Sequence, residues 1–414
     1  MNIILPLKLA WRSLLLNKSR TFLTIFGIII GIAAVIIVLS AGESIKGLIL
    51  GQLESFGTDV IHVETKVPNS DAVSSDISRA QGVQITTLKN EDAEAISKLP
   101  NIKDYYAAVM GQSVVSYEDQ NRIINFMGAS ADVINIDRSK LALGRPISHE
   151  EDKELARVAV LGSKVASDLF GNQNPINQNI KIGKNKFKVV GVLEERGAGF
   201  GLNFDEMLYL PIRTAQKLVM GIDYVMFIMA QVKDPLIENE TADEIATLLR
   251  ERHKIENFQD DDFAVTTTEQ ARQTINTVFG GITLLLTAIA SISLLVGGIG
   301  IMNIMYVSVT ERTFEIGLRK SVGARQLEIL WQFLWEAIAV TVFGGIIGIA
   351  AGISFTYLIA IIAGQFGFTW AFKLPIFSVL IAFGFSALVG LVFGFYPARR
   401  AAKMNPISAL GFEQ

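Results

Sequence analysis

The chain has 414 residues, half of them hydrophobic and only 19% charged, against about a quarter charged in ordinary soluble domains. Its net charge is −3 and it holds no cysteine, which excludes a disulfide framework and thiolate metal sites and gives no reason to expect a nucleic-acid partner. The apolar residues are concentrated in four uncharged runs, 21–42, 273–310, 337–372 and 374–398, each long enough for a helix to cross a bilayer core, which takes roughly 20 residues.

Residues 1–20 carry Lys8, Arg12, Lys18 and Arg20 and no acid. Leu7, Trp11, Leu14 and Leu15 fall on the side away from Lys8 and Arg12, a spacing that predicts a helix lying in the cytoplasmic membrane interface. The first run, 21–42, is read as transmembrane helix 1. A cleaved signal peptide would have Ser40-Ala41-Gly42 as its small-residue site, but the run exceeds the usual apolar core of roughly 7 to 15 residues, so the segment is expected to be retained.

Residues 43–272 follow, with 25 Lys or Arg and 35 Asp or Glu. Strand-like 58–65, helical 88–99 and strand-like 104–117 make one β-α-β unit, and 225–232, 240–253 and 262–268 make another. Between them, about 120–215, lie short alternating strands with a turn at Gly183-Lys184-Asn185, which predicts an inserted, mostly-β module. The glycine-rich loop 196–206 is open to two readings, a flexible connector or a contact for a partner or substrate. His62, His149 and His253 are far apart, and without a His-Glu-x-x-His pattern each is read as a surface or strand residue.

The second transmembrane helix with its extensions covers 273–310. A charged segment, 311–328, precedes a third membrane helix at 329–363, an outer loop at 364–373, a fourth helix at 374–398 and a tail at 399–414. Basic residues before helix 1, Arg312, Arg319, Lys320 and Arg325, and Arg399, Arg400 and Lys403 place these three segments and both termini in the cytoplasm and 43–272 outside by the positive-inside rule. Gly27, Gly31, Gly297, Gly298, Gly300, Gly344, Gly345, Gly348, Gly352, Gly390 and Gly394 line the four helices; such small faces let backbones approach in lipid, though glycine is also merely tolerated there.

In the charged segment, Glu311 to Val322 reads as a short helix. Glu315 and Arg319 form an i,i+4 pair, Phe314, Leu318 and Val322 form an apolar stripe, and Gly323 supplies a stop. Its composition alone leaves an interfacial helix and a docking helix equally open. Glu336 is expected near the cytoplasmic end of helix 3, since a charge at the bilayer centre costs about 2.5 to 3.5 kcal/mol.

The stretch GGIGIMNIMYVSVTERTFEIGLRKSVGAR (297–325) resembles the coupling region of MacB-type and FtsX-type ABC transporter permeases. LAWRSLLLNKSRTFLTIFGIIIG resembles that family's entry helix, LGSKVASDLFGNQNPINQNIKIGKNKFKVVGVL the core of its outer domain, and FGFYPARRAAKMNPISAL its C-terminal close. The resemblance implies an α+β membrane protein: four transmembrane helices with a large extracytoplasmic α+β domain between helices 1 and 2, in a bacterial cytoplasmic membrane. It implies a homodimer, or a heterodimer with a related permease, bound to two copies of an ABC ATPase, and in export systems a membrane-fusion-type adaptor that is periplasmic or extracellular. Glu311, Arg312, Phe314, Glu315, Ile316, Gly317, Leu318, Arg319, Lys320, Gly323, Ala324 and Arg325 would then form the ATPase-coupling surface. No Gly-x-x-x-x-Gly-Lys-Ser/Thr occurs in these residues, so no catalytic, cofactor or metal site is expected in the chain, and ATP and Mg are expected on the ATPase. Export of a drug, a peptide or similar cargo is the implied function; relatives that release lipoproteins or regulate cell-wall hydrolases are the alternatives.

Overall fold

The computed structural model describes residues 18–55, 57, 59–69, 85–199, 202–365 and 374–411. The interfacial helix expected over 1–20 and the 364–373 loop lie mostly outside the described residues. The helices used below are α1 (Lys18–Ser55), α2 (Asn90–Ile96), α3 (Ser163–Phe170), α4 (Glu238–His253), α5 (Thr268–Glu311), α6 (Thr313–Ser321), α7 (Gln326–Gln365), α8 (Ile376–Lys403) and α9 (Pro406–Leu410). The chain divides into two compact units, Ile49–Ile275 and Met1–Leu48 with Asn276–Gln414.

In the first unit β1 (Val60–Thr65) pairs antiparallel with both β11 (Phe227–Val232) and β12 (Phe263–Thr267), and β11 pairs antiparallel with β2 (Ile102–Tyr117). It follows that β1 runs parallel to β2, and β11 to β12. Each of these parallel pairs is joined through a helix, α2 or α4, so two split β-α-β units interleave in the manner of a ferredoxin-like fold. The intervening chain adds β3 (Gln120–Ala129), β4 (Leu141–Gly144), β5 (Val158–Leu161), β6 (Asn179–Ile182), β7 (Asn185–Leu193) and β10 (Met207–Pro211), with the two-residue strands β8 (Ala198–Gly199) and β9 (Leu202–Asn203) paired apart from the main sheet. The strand order is β12-β1-β11-β2-β3-β10-β5-β7-β4, with β6 against β2 and β7. The β2–β3 hairpin therefore carries one sheet from the outer β-α-β units into the inserted strands.

Period-2 geometry puts successive strand residues on opposite faces. Ala107, Leu161 and Leu210 join Ile96, Ile245 and Leu249 of the covering helices in one core, while Tyr106, Val160 and Tyr209 join Ile136 and Phe204 in another. Helix α2 begins two residues later and ends three residues earlier than the 88–99 pattern predicts. Lys89 stays extended, with its N–H donating to the Asp92 carboxylate at 2.8 Å, and Leu88 is fully buried ahead of the helix.

His253 corrects the expectation of a surface or strand residue. It ends α4 with its side chain only 7% exposed, Nδ1 2.7 Å from an Asp262 oxygen and Nε2 3.4 Å from one of Asp92. Arg252 Nε donates to the other Asp92 oxygen at 2.6 Å. Two carboxylates from separate segments converge there, and a protonated imidazole can donate to both. The bonds to Asp262 and Asp92 raise the His253 pKa to about 9, and the carbonyl end of α4 also favours a cation. Burial pushes Asp92 and Asp262 up, yet the donors around them hold both below the usual carboxylate range. His62 lies in β1 as expected, and His149 is exposed 3.4 Å from Asp132.

In the second unit α1, α5, α7 and α8 are each long and apolar enough to cross a membrane. Their glycines lie at the contacts between helices. Gly27 lies against Gly297, where an added Cβ would come 3.4 Å from the facing Cα. Gly348 and Gly352 lie against Ile32 and Ile36 of α1, Gly345 against Ser386, Gly394 against Ala337, and Gly298 under the Phe393 ring. Close approach of this kind replaces the hydrophobic drive that helices lack in lipid. Ile28, Ile32 and Ile36 are fully buried in the bundle core, which makes the first apolar run a working part of the bundle. Outward faces carry Leu284, Ile292, Ile346, Ile361, Leu380 and Leu388, more exposed apolar surface than water would tolerate.

His253 gives the folded state a pH signature. With its pKa raised from 6.5 to about 9, its contribution to stability is fully present below about pH 6.5 and is lost as pH rises through 9. Amide exchange in Glu238–His253 of the full-length protein, corrected for intrinsic rates, is expected to accelerate between pH 7 and pH 10, and His253→Gln is expected to flatten that dependence. The same pH profile in both proteins would contradict the assignment.

Candidate functional site

The charged segment does not continue α5 as one straight helix. Arg312 has φ −102° and ψ 16° and separates α5 from α6. Its Nη1 lies 3.1 Å from Glu336 Oε2 of α7, and the Glu336 side chain is only 5% exposed. Glu336, expected near the cytoplasmic end of helix 3, is enclosed within the bundle and paired with Arg312 of the charged segment, which offsets the cost of burying a carboxylate among apolar helices.

The far end of α6 is closed by hydrogen bonds. Gly323 N donates to Lys320 O at 3.1 Å and Ala324 N to Arg319 O at 3.0 Å, with Gly323 at φ +98°. This is a Schellman stop, in which a left-handed glycine satisfies the last carbonyls of the helix. Arg325 then opens α7, its N–H donating to Glu328 Oε2 at 3.1 Å, one half of a capping box.

The fold sorts the predicted residues by direction. Ile316 and Gly317 are buried, together with Thr313, so they brace α6 and do not present surface. Gly317 faces Ala409 of α9, and a Cβ there would come within 2.8 Å of the Ala409 Cβ. Lys320 Nζ donates to Ala402 O at 2.8 Å and Met404 O at 2.5 Å. Arg319 reaches Glu315 at 2.6 Å and Gln332 at 2.5 Å, so the expected i,i+4 pair also ties α6 to α7. The apolar stripe faces outward, with Phe314 54%, Leu318 51% and Val322 83% exposed. Glu311, Glu315, Gly323 and Arg325 are exposed beside it, and Ala324 is half-buried.

The two ends of the 196–206 loop are tied to each other. Asp205 accepts from Arg196 N at 2.8 Å and Gly197 N at 2.7 Å, and the Arg196 guanidinium stacks 4.6 Å above the Phe204 ring. Beside it lies a cleft of about 250 Å³ lined by residues of both signs, among them Asp137, Lys140, Glu195 and Arg196. Burial raises the Asp137 pKa to about 6, and the Tyr106 hydroxyl donates to it at 2.9 Å. Among the described residues no group of His, Asp or Glu side chains is arranged to hold a metal ion.

Two family models cover most of the chain. Residues 21–248 match the MacB-like periplasmic core domain and 287–406 the FtsX-like permease C-terminal model. The macrolide export ATP-binding/permease protein MacB of Bdellovibrio bacteriovorus is 38% identical over 404 residues, 97% of this chain and 61% of that protein. The protein of the same name from Chlorobaculum tepidum is 38% identical over 405 residues, 98% of this chain and 61% of that protein. The chain thus spans about three fifths of the length of these relatives. The crystal structure of the periplasmic region of MacB from Actinobacillus actinomycetemcomitans aligns with TM-score 0.46 at 20% identity, over 54% of this chain and 95% of that one.

The Arg312–Glu336 pair predicts a non-additive mutant cycle. Glu336→Gln or Arg312→Met alone leaves one buried partner unmatched and is expected to cost about 3 kcal/mol. The double variant is expected to cost markedly less than the two singles together, read from detergent-titration unfolding of the full-length protein. Additive losses would mean that the two side chains are not coupled.

Proposed function

The chain belongs to the family of MacB-like permeases, with a MacB-like periplasmic core domain and an FtsX-like permease C-terminal region, and on that premise we propose that it couples ATP hydrolysis outside these 414 residues to conformational change in an ABC transporter. The observation that carries this reading is the two-sidedness of α6. One face is locked into the bundle by Arg312, Ile316, Gly317 and Lys320. The opposite face leaves Phe314, Leu318 and Val322 uncovered, rimmed by Glu311, Glu315 and Arg325.

A helix fixed on one side and apolar on the other can hand force from a docked protein to the bundle that holds it. An interfacial helix would need only amphipathicity; the hydrogen bonds into α7 and α8 favour docking. ATP and Mg would sit on the ATPase, of which two copies would serve a homodimer or a heterodimer of permeases. Relatives named as macrolide exporters support export of a drug-like or peptide-like cargo, with a periplasmic adaptor as a further partner. The 227 residues of the extracytoplasmic unit, Ile49–Ile275, would be the part that rearranges toward that cargo.

The test uses the full-length protein purified with the ATPase that accompanies it from native membranes. The 414-residue chain alone is expected to hydrolyse no ATP. Phe314→Asp with Leu318→Asp is expected to abolish copurification of the ATPase and to lower membrane-coupled turnover by about tenfold or more, since each change removes an apolar contact at the centre of the surface. Intact copurification and turnover in this variant would refute docking through α6.

A further inference from the structure

The segment after the fourth membrane helix takes part in the geometry of α6. Three observations converge on it. The ammonium of Lys320 lies within hydrogen-bond distance of two backbone carbonyls, Ala402 O and Met404 O. These sit at the C-terminal end of α8, where the last four carbonyls of a helix have no intrahelical donor and the dipole favours a cation. Gly317 then lets α9 lie directly on α6, because any side chain at that position would collide with Ala409. Finally, α9 has its own start signal: the Asn405 side chain accepts from Ile407 N at 3.1 Å, and Pro406 occupies the first turn.

We propose that Lys320 is a positioning residue that joins α6 to the end of α8 and to α9, so that a push on α6 is delivered to the fourth membrane helix. This rests on the coupling role proposed above for α6. Lys320 touches no reacting group; it acts through the carbonyls it holds. On the other side of α6 the Arg319–Gln332 bond supplies a matching tie to α7. Force entering at Phe314 and Leu318 is then divided between the third and fourth membrane helices. The tail from Met404 to Leu410 becomes part of the lever, and Gly317 is the position whose lack of a side chain makes the joint close enough to work.

The experiment compares Lys320→Met, which keeps the apolar stem and removes the donors, with Lys320→Arg and with Gly317→Leu, which attacks the same joint from its other contact. The first readout is amide exchange of residues 404–411 in the full-length protein in nanodiscs, which needs no ATPase. Lys320→Met and Gly317→Leu are expected to accelerate it roughly tenfold, in keeping with the loss of charge-assisted hydrogen bonds, while Lys320→Arg keeps it near the wild-type rate. The second readout is ATP turnover with the copurifying ATPase, expected to fall about tenfold in the Met and Leu variants with the amount of bound ATPase unchanged. Unchanged exchange in Lys320→Met would overturn the joint. Loosened exchange with normal turnover would overturn its role in coupling, and loss of bound ATPase would instead make Lys320 a docking contact. Absence of ATP turnover in the wild-type complex would defeat the coupling reading itself, whatever the exchange data show.

Discussion

A carboxyl group enclosed by apolar helices needs a polar partner, and in this protein Arg312 supplies one to Glu336 at 3.1 Å. The guanidinium comes from the residue at which α5 gives way to α6. Satisfying the buried charge therefore also fixes the corner at which the chain leaves one long helix and begins a short one. The remaining ties of α6 follow from that corner along the helix: Arg319 to Gln332, Lys320 to the end of α8, and Gly317 to Ala409. The ion pair is specific in a way that apolar packing is not, since a one-residue slip would leave both charges unmatched in a low-dielectric setting.

The extracytoplasmic unit relies on a parallel device. Without cysteine, its two interleaved β-α-β units are held by two apolar cores on opposite faces of one sheet and by charge clusters at helix ends. At the end of α4, His253 and Arg252 draw together carboxylates from the start of α2 and from the approach to β12. Arg250 adds a bidentate contact to Asp261, Nη2 donating to Oδ2 at 2.7 Å and Nε to Oδ1 at 2.9 Å. The contacts to Asp92 join segments 160 residues apart in sequence, where a smaller secreted domain would use disulfides.

Much of this architecture was legible in the sequence because it depends on composition and period. Uncharged runs mark membrane helices, glycine faces mark their crossings, Gly323 marks a helix stop, and two strand-helix-strand patterns flank an alternating stretch. Other features were illegible for definable reasons. The period of α6 correctly groups Phe314, Leu318 and Val322 on one face, yet the buried face is the one built from Thr313, Ile316 and Gly317. Close approach to Ala409 rewards small residues, and a hydrophobic stripe gives no hint of that. The partners of Glu336 and Lys320 lie 24 and more than 80 residues away in sequence, and no local pattern encodes such distances. His253 was misplaced for the same reason, since its burial depends on two aspartates that only the tertiary fold assembles.

Coupling through α6 requires that α6 face the cytoplasm while the β2–β3 hairpin faces outward. Because the chain has no cysteine, single cysteines at Gln120, exposed in that hairpin, and at Ser321, exposed on α6, can be labelled with a membrane-impermeant thiol reagent in intact cells. Labelling is expected at Gln120 in intact cells and at Ser321 only after permeabilisation. Labelling of the Ser321 position from outside would place α6 beyond the reach of any cytoplasmic ATPase and would contradict that coupling.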